Sequence, residues 1–424
     1  MSGSQRRNVV IVGQGYVGLP LAMRAVEVGY SVVGFDTDEA RIKRLAAGES
    51  YVEDVPGDAL SAALATGRYR PSTDPADLAG FDVAVITVPT PLHDGNPDLS
   101  YIEQAAATLG PHLGRGATVI LESTTYPGTT EELVGPILEE AAGLEAGSDF
   151  HLGYSPERID PGNPKWGLVN TPKVVSGVNA ACLKAVQSFY DTVVDETVPV
   201  VDVKVAEMVK LLENTFRHVN VALVNELAMF AGEMGIDLWA AIDAASTKPF
   251  GYMAFTPGPG VGGHCLPIDP SYLSWRVKRT LGQPFRFVEL ANDINDHMPD
   301  YVVRRITMAL NRQRRSVNGS RILLLGLAYK ANTGDARESP AVAVADRLTV
   351  LGADVRAADP HVVEDHGGGR FTRVDATVEE LSAADVVVVL SDHDEFDYTA
   401  VAQNSTYVLD TRRRLAPAPN VELL

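Results

Sequence analysis

The chain of 424 residues is poor in cysteine, in tryptophan and in positive charge. Its two cysteines lie far apart in sequence, which excludes a disulfide framework and fits a reducing compartment. With 36 basic residues against 55 acidic ones the formal net charge is −19, which argues against nonspecific binding to nucleic acid or to an anionic membrane surface. An anionic ligand would need its own local cations. No apolar run reaches the roughly 18 residues of a membrane span. The opening MSGSQRRNVVIVG enters a short apolar strand without the apolar core of an export signal. A cytoplasmic protein with no nucleic-acid or membrane partner is therefore expected. Cys and His never take zinc-type spacing, so no metal is expected, and the cluster Asp392, His393, Asp394, Glu395 reads as a polar turn that starts a helix.

Hydrophobic residues make up 45% of the chain and charged ones 21%, enough apolar side chain for large cores. Residues 8–12 form an apolar strand that runs into Gly13, Gly15 and Gly18 of GQGYVGLP, then a helical stretch, then a second strand at 31–35 ending on Asp36. Strand, GxGxxG, helix, strand, acid is the dinucleotide fingerprint. The glycines permit a tight turn and let a pyrophosphate approach a helix N-terminus. Asp36 would accept hydrogen bonds from the adenosine ribose and repel a 2′-phosphate, so the expected cofactor is NAD. Tyr16, Val17 and Arg41 belong to the same expected site. Further apolar runs at 82–88, 117–121, 151–154 and 173–177 alternate with helical stretches and predict a doubly wound, mainly parallel sheet. Ligands of such sheets sit at the carboxyl ends of the strands. That places Thr90 of VPTPL, Thr124 of ESTTYPGTT, and Glu157 and Arg158 of YSPERIDPGN among the contact residues.

From 203 to 235 the periodicity is helical, with an apolar stripe of Val205, Met208, Val209, Leu212, Phe216, Val219 and Leu223. Lys210 and Asn214, at i and i+4, point to one side. So long a helix is expected to bridge two lobes. Residues 257–270, PGPGVGGHCLPIDP, are too rich in glycine and proline for helix or central strand and read as a shaped loop with Cys265 at its apex, His264 before it and Asp269 after it. Cys265 is either a thiolate nucleophile or an inert buried thiol. Cys182, in an apparent helix at 180–190, packs or sits idle. A second α/β unit begins at 321–327 and continues through 353–358, 385–390 and 407–409. Its first turn, GLAYKANTGDARESPA, lacks GxGxxG and offers Lys330 and Arg337, two cations able to hold a phosphate or pyrophosphate. The expected fold is α/β, two Rossmann-like doubly wound domains joined by a long central helix and a helical middle region. The expected boundaries are 1–202, 203–317 and 318–424.

Taken together, GQGYVGLP, VPTPL, ESTTYPGTT, SPERIDPGN, AEMVKLLENTFRHVN, PGPGVGGHCLPIDP and GLAYKANTGDARESP resemble, in order, the motifs of the nucleotide-sugar 6-dehydrogenases. The resemblance covers essentially the whole chain. It implies a four-electron oxidation of a sugar C6 alcohol to the carboxylate, with two NAD used in turn and no free aldehyde released. It assigns Cys265 as nucleophile, Lys210 and Asn214 as the oxyanion-stabilising pair, Asp269 as acid/base partner, and Thr124 and Glu157 as residues ordering the catalytic water. It also implies a nucleotide-diphosphate sugar held by Phe250 and Tyr252 of FGYMAF, Gly262, Lys330 and Arg337, with Arg337 near the cofactor as well, and a homodimer or higher homo-oligomer built on the long helix. The UDP-glucose branch has lysine before the catalytic aspartate and a second glutamate after the first, whereas this chain has Ile268 and SPERIDPG. These motifs look more like the N-acetylhexosamine branch, in which Arg158 and Arg217 would meet the acetamido group. A UDP-glucose enzyme of the same mechanism, a two-electron hydroxyacid-type dehydrogenase and a noncatalytic NAD-binding regulator are the alternatives.

Overall fold

The computed structural model describes residues 7–52, 54–93, 95–159, 163, 165–263, 265–363 and 370–424, with residues 265 and 267 described by backbone alone. His264 and residues 160–162 of SPERIDPGN lie outside the described residues. The chain forms two compact units, Met1–Glu213 and Asn214–Leu424, and the division falls within one helix, Val203–Ala231.

The first unit is built on six parallel strands in the order Tyr69–Ser72, Ser31–Phe35, Asn8–Val12, Val83–Ile86, Thr118–Leu121, His151–Tyr154. Counted along the chain this is 3-2-1-4-5-6, the doubly wound order. The central strand pairs Val9 with Val32 on one side and with Val83 on the other, and Val9 and Ile11 are wholly buried. Such strands, covered on both faces, need continuous apolar runs, which is what made them legible. Beyond the last strand, Lys173–Val175 pairs with Thr197–Pro199. It is tied back to the sheet where the Ser176 N–H donates to the Tyr154 carbonyl at 3.0 Å and Ser155 Oγ donates to the Val174 carbonyl at 2.7 Å. This small extension carries Lys173 to the carboxyl end of the main sheet.

The second unit repeats the architecture: six parallel strands in the order Thr372–Arg373, Asp354–Ala358, Arg321–Leu325, Val386–Val389, Val408–Asp410, Val421–Leu423. The two Rossmann-like domains expected from the alternation of strands and helices are present. Helix Arg286–Arg312 packs on the later turns of the long helix, where Tyr301 Oη donates to the Ala228 carbonyl at 3.0 Å and Asn225 Nδ2 donates to Asn295 Oδ1 at 2.9 Å.

One expectation fails. Residues 257–270 are a loop only as far as Gly263, because a helix, Cys265–Leu281, begins at the cysteine. Pro267 sits in its first turn, where a backbone N–H has no helical partner to lose, and Pro270 gives up one bond farther in. Cys265 opens a helix and is not the apex of a loop.

Candidate active site

The turn after the first strand is shaped by backbone. Gly13 has φ of +92°, which a side chain would strain, and its N–H donates to the Phe35 carbonyl at 2.8 Å. A Cβ at Gly18 would strike the Gly13 carbonyl and the Thr87 hydroxyl, so the third glycine lets the helix start against the strand. A Cβ at Gly15 would meet nothing, leaving the mouth of the turn clear. No side chain caps the helix that follows, Gly18–Glu27. The Leu19 N–H donates to the Gly15 carbonyl at 3.1 Å and Pro20 has no N–H, so it is the uncapped helix start and the open mouth of the turn that fit a dinucleotide pyrophosphate. Asp36 Oδ2 accepts from the Gln14 N–H at 2.8 Å and pairs with Arg41 Nη1 at 2.9 Å, while Oδ1 accepts from the Asp38 N–H at 3.0 Å. Burial works against the Arg41 charge, but its pairing with Asp36 raises its pKa overall. Gln14, which the sequence reading left unassigned, is fully buried and is held by Tyr69 Oη at 2.7 Å. Tyr16 is exposed and Thr90 is buried.

At the end of His151–Tyr154, Glu157 Oε1 accepts from the Arg158 and Ile159 N–H groups at 2.6 and 2.7 Å. Its Oε2 pairs with Lys173 Nζ at 3.0 Å, and Lys173 also pairs with Glu122. Lys210 Nζ donates to the Glu157 carbonyl at 2.7 Å. Arg158 forks onto Glu213, with Nη2 at 2.6 Å and Nε at 3.0 Å from Oε1, and its Nη1 donates to the Pro172 carbonyl at 2.7 Å. Thr124, half-buried, follows Glu122 and Ser123 on the neighbouring turn. That turn is anchored by Glu207, which accepts from the Gly128 N–H at 2.6 Å, the Thr130 N–H at 2.9 Å and the Thr130 hydroxyl at 2.8 Å. Burial pushes Glu207 up to about 7 although those donors favour its anion. Glu122, Lys173 and Glu207 escaped sequence reading because their partners lie tens of residues away.

In the second unit, Asn214 Nδ2 donates to Asp269 Oδ2 at 2.5 Å, both side chains being buried. The glycine loop fits closely around the first turn of the second Rossmann-like domain. A Cβ at Gly262 would lie 2.7 Å from the Glu338 carbonyl oxygen and from Tyr329 Cβ, and the Gly263 N–H donates to the Arg337 carbonyl at 3.1 Å. Gly262 and the segment bearing Lys330 and Arg337, distant in sequence, thus meet. The Arg337 guanidinium pairs with Asp335 at 2.6 and 2.9 Å. Phe250 is 71% exposed and Tyr252 39% exposed, so both rings offer a face for stacking. Arg217 is exposed on the long helix. Cys182 is buried in helix Ala180–Val193, as its sequence context suggested.

The cluster at 392–395 forms a turn ahead of helix Tyr398–Asn404, whose N-terminus Asp397 caps through the Ala400 N–H at 2.9 Å. Among the described residues, His361, His393 and Glu395 bring possible ligand atoms within 4.8 Å of one another. His393 is fully engaged, its Nδ1 accepting from the Asn332 N–H at 2.9 Å and its Nε2 lying 2.9 Å from Asp359 Oδ2. The group reads as a structural clasp.

With this geometry in place, comparison with known proteins is informative. The chain matches the UDP-glucose/GDP-mannose dehydrogenase family in three consecutive parts: the NAD binding domain over residues 7–194, the central domain over 204–297 and the UDP binding domain over 323–417. It is 37% identical over 389 residues to the UDP-N-acetyl-D-mannosamine dehydrogenase of Pyrococcus horikoshii, covering 92% of this chain and 90% of that one. It is also 37% identical over 392 residues to the UDP-N-acetyl-D-glucosamine 6-dehydrogenase of Pseudomonas aeruginosa, covering 92% and 91%. Among solved structures, the Pyrococcus horikoshii UDP-D-ManNAc dehydrogenase superposes with a TM-score of 0.90 at 34% identity, covering 98% of each chain. A UDP-glucose dehydrogenase from Pyrobaculum islandicum superposes with a TM-score of 0.86 at 28% identity, covering 100% of this chain and 98% of that one.

Proposed function

The chain belongs to the UDP-glucose/GDP-mannose dehydrogenase family and is an NAD-dependent nucleotide-sugar dehydrogenase, and from that premise we propose that it oxidises the C6 alcohol of a UDP-N-acetylhexosamine to the carboxylate. The observation that carries the substrate assignment is the run of N-acetylhexosamine dehydrogenases among relatives aligned over more than nine-tenths of the chain. Ile268, where the UDP-glucose branch has lysine, supports it.

NAD supplies the hydride acceptor for both oxidations. Alcohol, one water and two oxidised cofactors give carboxylate, two reduced cofactors and three protons. Asp269 takes the alcohol proton in the first oxidation, its carboxylate oriented by the Asn214 amide. Cys265 attacks the aldehyde so formed, making a carbon–sulfur bond, and the second oxidation converts this adduct to a thioester. Lys210 and Asn214 stabilise the oxyanion, where losing one donor costs about 3 kcal/mol. Glu157 and Thr124 order the water that attacks the thioester. The carbonyl–sulfur bond breaks and the thiolate is regenerated. The cofactor contacts are Gly13, Gly15, Tyr16, Val17, Gly18, Asp36, Arg41, Thr90, Thr124 and Arg337. Phe250, Tyr252, Gly262, Lys330 and Arg337 hold the nucleotide diphosphate, and Arg158 and Arg217 are assigned to the acetamido group of the sugar, Arg158 being fixed by Glu213.

The division of labour we propose is a cofactor domain over 1–202, a central helical domain over 203–317 and a nucleotide-sugar domain over 318–424. On the long helix Val205, Leu212, Phe216, Leu223 and Phe230 are all exposed, an apolar row supporting a homodimer formed through this helix, in a cytoplasmic enzyme. Side-by-side kinetics test the substrate. UDP-N-acetylglucosamine or its mannose epimer should exceed UDP-glucose in kcat/KM by about tenfold or more, because a site built around a polar group rejects analogues that leave it unpaired. A tenfold preference for UDP-glucose would overturn the assignment.

A further inference from the structure

Behind Glu157 lies a buried network that the reaction as written does not use. Lys173 Nζ pairs with Glu122 Oε1 and, at 3.0 Å, with Glu157 Oε2. It also sits 5.3 Å from the centre of the Tyr190 ring. Tyr190 Oη donates to Glu122 Oε2 at 2.6 Å. The side chains of Glu122 and Lys173 are 0% and 4% exposed, whereas Glu157 keeps 12%, so Glu157 is the member nearest solvent. Each component comes from a different element: Glu122 follows strand Thr118–Leu121, Glu157 follows His151–Tyr154, Lys173 opens Lys173–Val175, and Tyr190 lies on helix Ala180–Val193. Among the described residues, Lys210, bonded to the Glu157 carbonyl, and Arg158, committed to Glu213, are further charged groups near it.

One buried cation thus serves two carboxyl groups. Ionising both leaves a net negative charge in a poorly solvated place, so any proton the network holds must reside on one of them. The two positions differ. Glu157 has two backbone N–H donors on Oε1 in addition to Lys173, and a carboxylate with such donors is favoured as the anion. Glu122 has Lys173 and a phenol, deeper inside. Accordingly burial raises both, but Lys173 and the backbone donors bring Glu157 below the ordinary carboxylate range while Glu122 is left above it.

We infer that Lys173 and Glu122 are positioning residues for the water-ordering carboxylate, with Lys173 holding Glu157 in place and ionised and Glu122 taking the proton the network retains. This rests on the role proposed above for Glu157, but its charge state can be read independently.

The test uses the full-length enzyme, UDP-N-acetylglucosamine as substrate, and four variants: Lys173→Met, Lys173→Arg, Glu122→Gln and Glu157→Gln. Infrared difference spectra against Glu157→Gln, recorded across pH, report the ionisation of Glu157. Intact-protein mass reports thioester on Cys265, and NAD affinity reports whether the unit is folded. Lys173→Met should move the Glu157 titration up by about one to three pH units, since an opposite charge at this range is worth that much. Thioester should accumulate in this variant when the pH is brought below that raised titration, where the wild type still clears it, and should disappear as the pH is raised. Lys173→Arg should restore the wild-type profile. Glu122→Gln, neutral like the protonated acid it replaces, should leave the Glu157 titration close to that of the wild type. An unmoved Glu157 titration in Lys173→Met, or one displaced by a full pH unit or more in Glu122→Gln, with NAD affinity intact, would overturn the inference. Equal losses at every pH in both, without rescue by Lys173→Arg, would also overturn it and mark the network as structural. If the titration moves as expected but the wild type never forms a thioester, the network stands and the reaction proposed for Cys265 fails.

Discussion

The two Rossmann-like sheets share strand order, a left-handed glycine after the first strand (Gly13 at +92°, Gly326 at +89°) and an acid after the second (Asp36, Asp359). They differ in how the turn is finished. In the first unit only residues 13–17 separate strand from helix, and no side chain caps that helix. In the second, residues 326–339 intervene, and Ser339 Oγ accepts from the Ala341 N–H at 3.3 Å, closing the helix start with the chain's own hydroxyl. Asp36 spends one oxygen on a single turn N–H and on Arg41. Asp359 Oδ2 takes two, from Leu327 at 2.6 Å and Ala328 at 3.0 Å, and lies 2.9 Å from His393, while Oδ1 takes the His361 and Val362 N–H groups, both at 2.8 Å. The first turn is short and has no side-chain cap, so its mouth stays open. The second turn is long and satisfied from within, and it carries Lys330 and Arg337. The same fold thus carries two differently finished turns, and ligand chemistry is a property of such turns, not of the fold.

The sharpest way to break this comparison is to fill the glycines. Gly18→Val should lower NAD affinity by about 100-fold or more, because its side chain would strike the Gly13 carbonyl and displace the helix start to which we assign the pyrophosphate. Gly326→Ala, pressed against Ser391, should instead lower the melting temperature while leaving the NAD dissociation constant within about twofold. Calorimetric titration with NAD and thermal melts of both variants decide the matter.

A smaller effect separates the acids. Asp36→Ala should narrow the NAD-over-NADP preference by about tenfold, since it removes a negative charge and frees Arg41 to meet a 2′-phosphate. Asp359→Asn should leave cofactor preference unchanged but cost about 1 to 3 kcal/mol of stability at neutral pH. Burial alone would raise the Asp359 pKa, but His393 and the backbone donors hold it below the ordinary 3.8. Its stabilisation is therefore complete above that value and lost as pH falls through the folded one, so the gap between Asp359→Asn and wild type should close on acidification below about pH 4. Denaturant melts at several pH values measure this, and NADP kinetics measure the first effect.

Much of this organisation was legible in the chain because it is written locally. Buried parallel strands give unbroken apolar runs, and GQGYVGLP carries its own turn geometry. Less regular features were not. Strand Tyr69–Ser72, with Arg70 and Pro71, shows no apolar run, and its place is fixed by pairing with Ser31–Phe35. Pro267 and Pro270 signalled a loop, yet the helix tolerates the first in its opening turn and absorbs the second. Asn225, which links Asn295 to the Gly258 N–H of the glycine loop, looked like an ordinary helix residue. The Glu122–Lys173–Glu157 network joins residues whose proximity follows from sheet topology alone. Local chemistry marks where a ligand goes, and long-range packing decides how the groups around it are charged and held.

The central claim, that one chain carries an alcohol to a carboxylate through Cys265, is tested most directly by counting NADH formed per UDP-N-acetylglucosamine consumed, for wild type and Cys265→Ser, with the sugar product identified. The account predicts two NADH and a uronic acid for wild type, and loss of that overall conversion in Cys265→Ser with NAD binding intact. One NADH per sugar from the wild type, or full conversion to the acid at wild-type rate by Cys265→Ser, would contradict it.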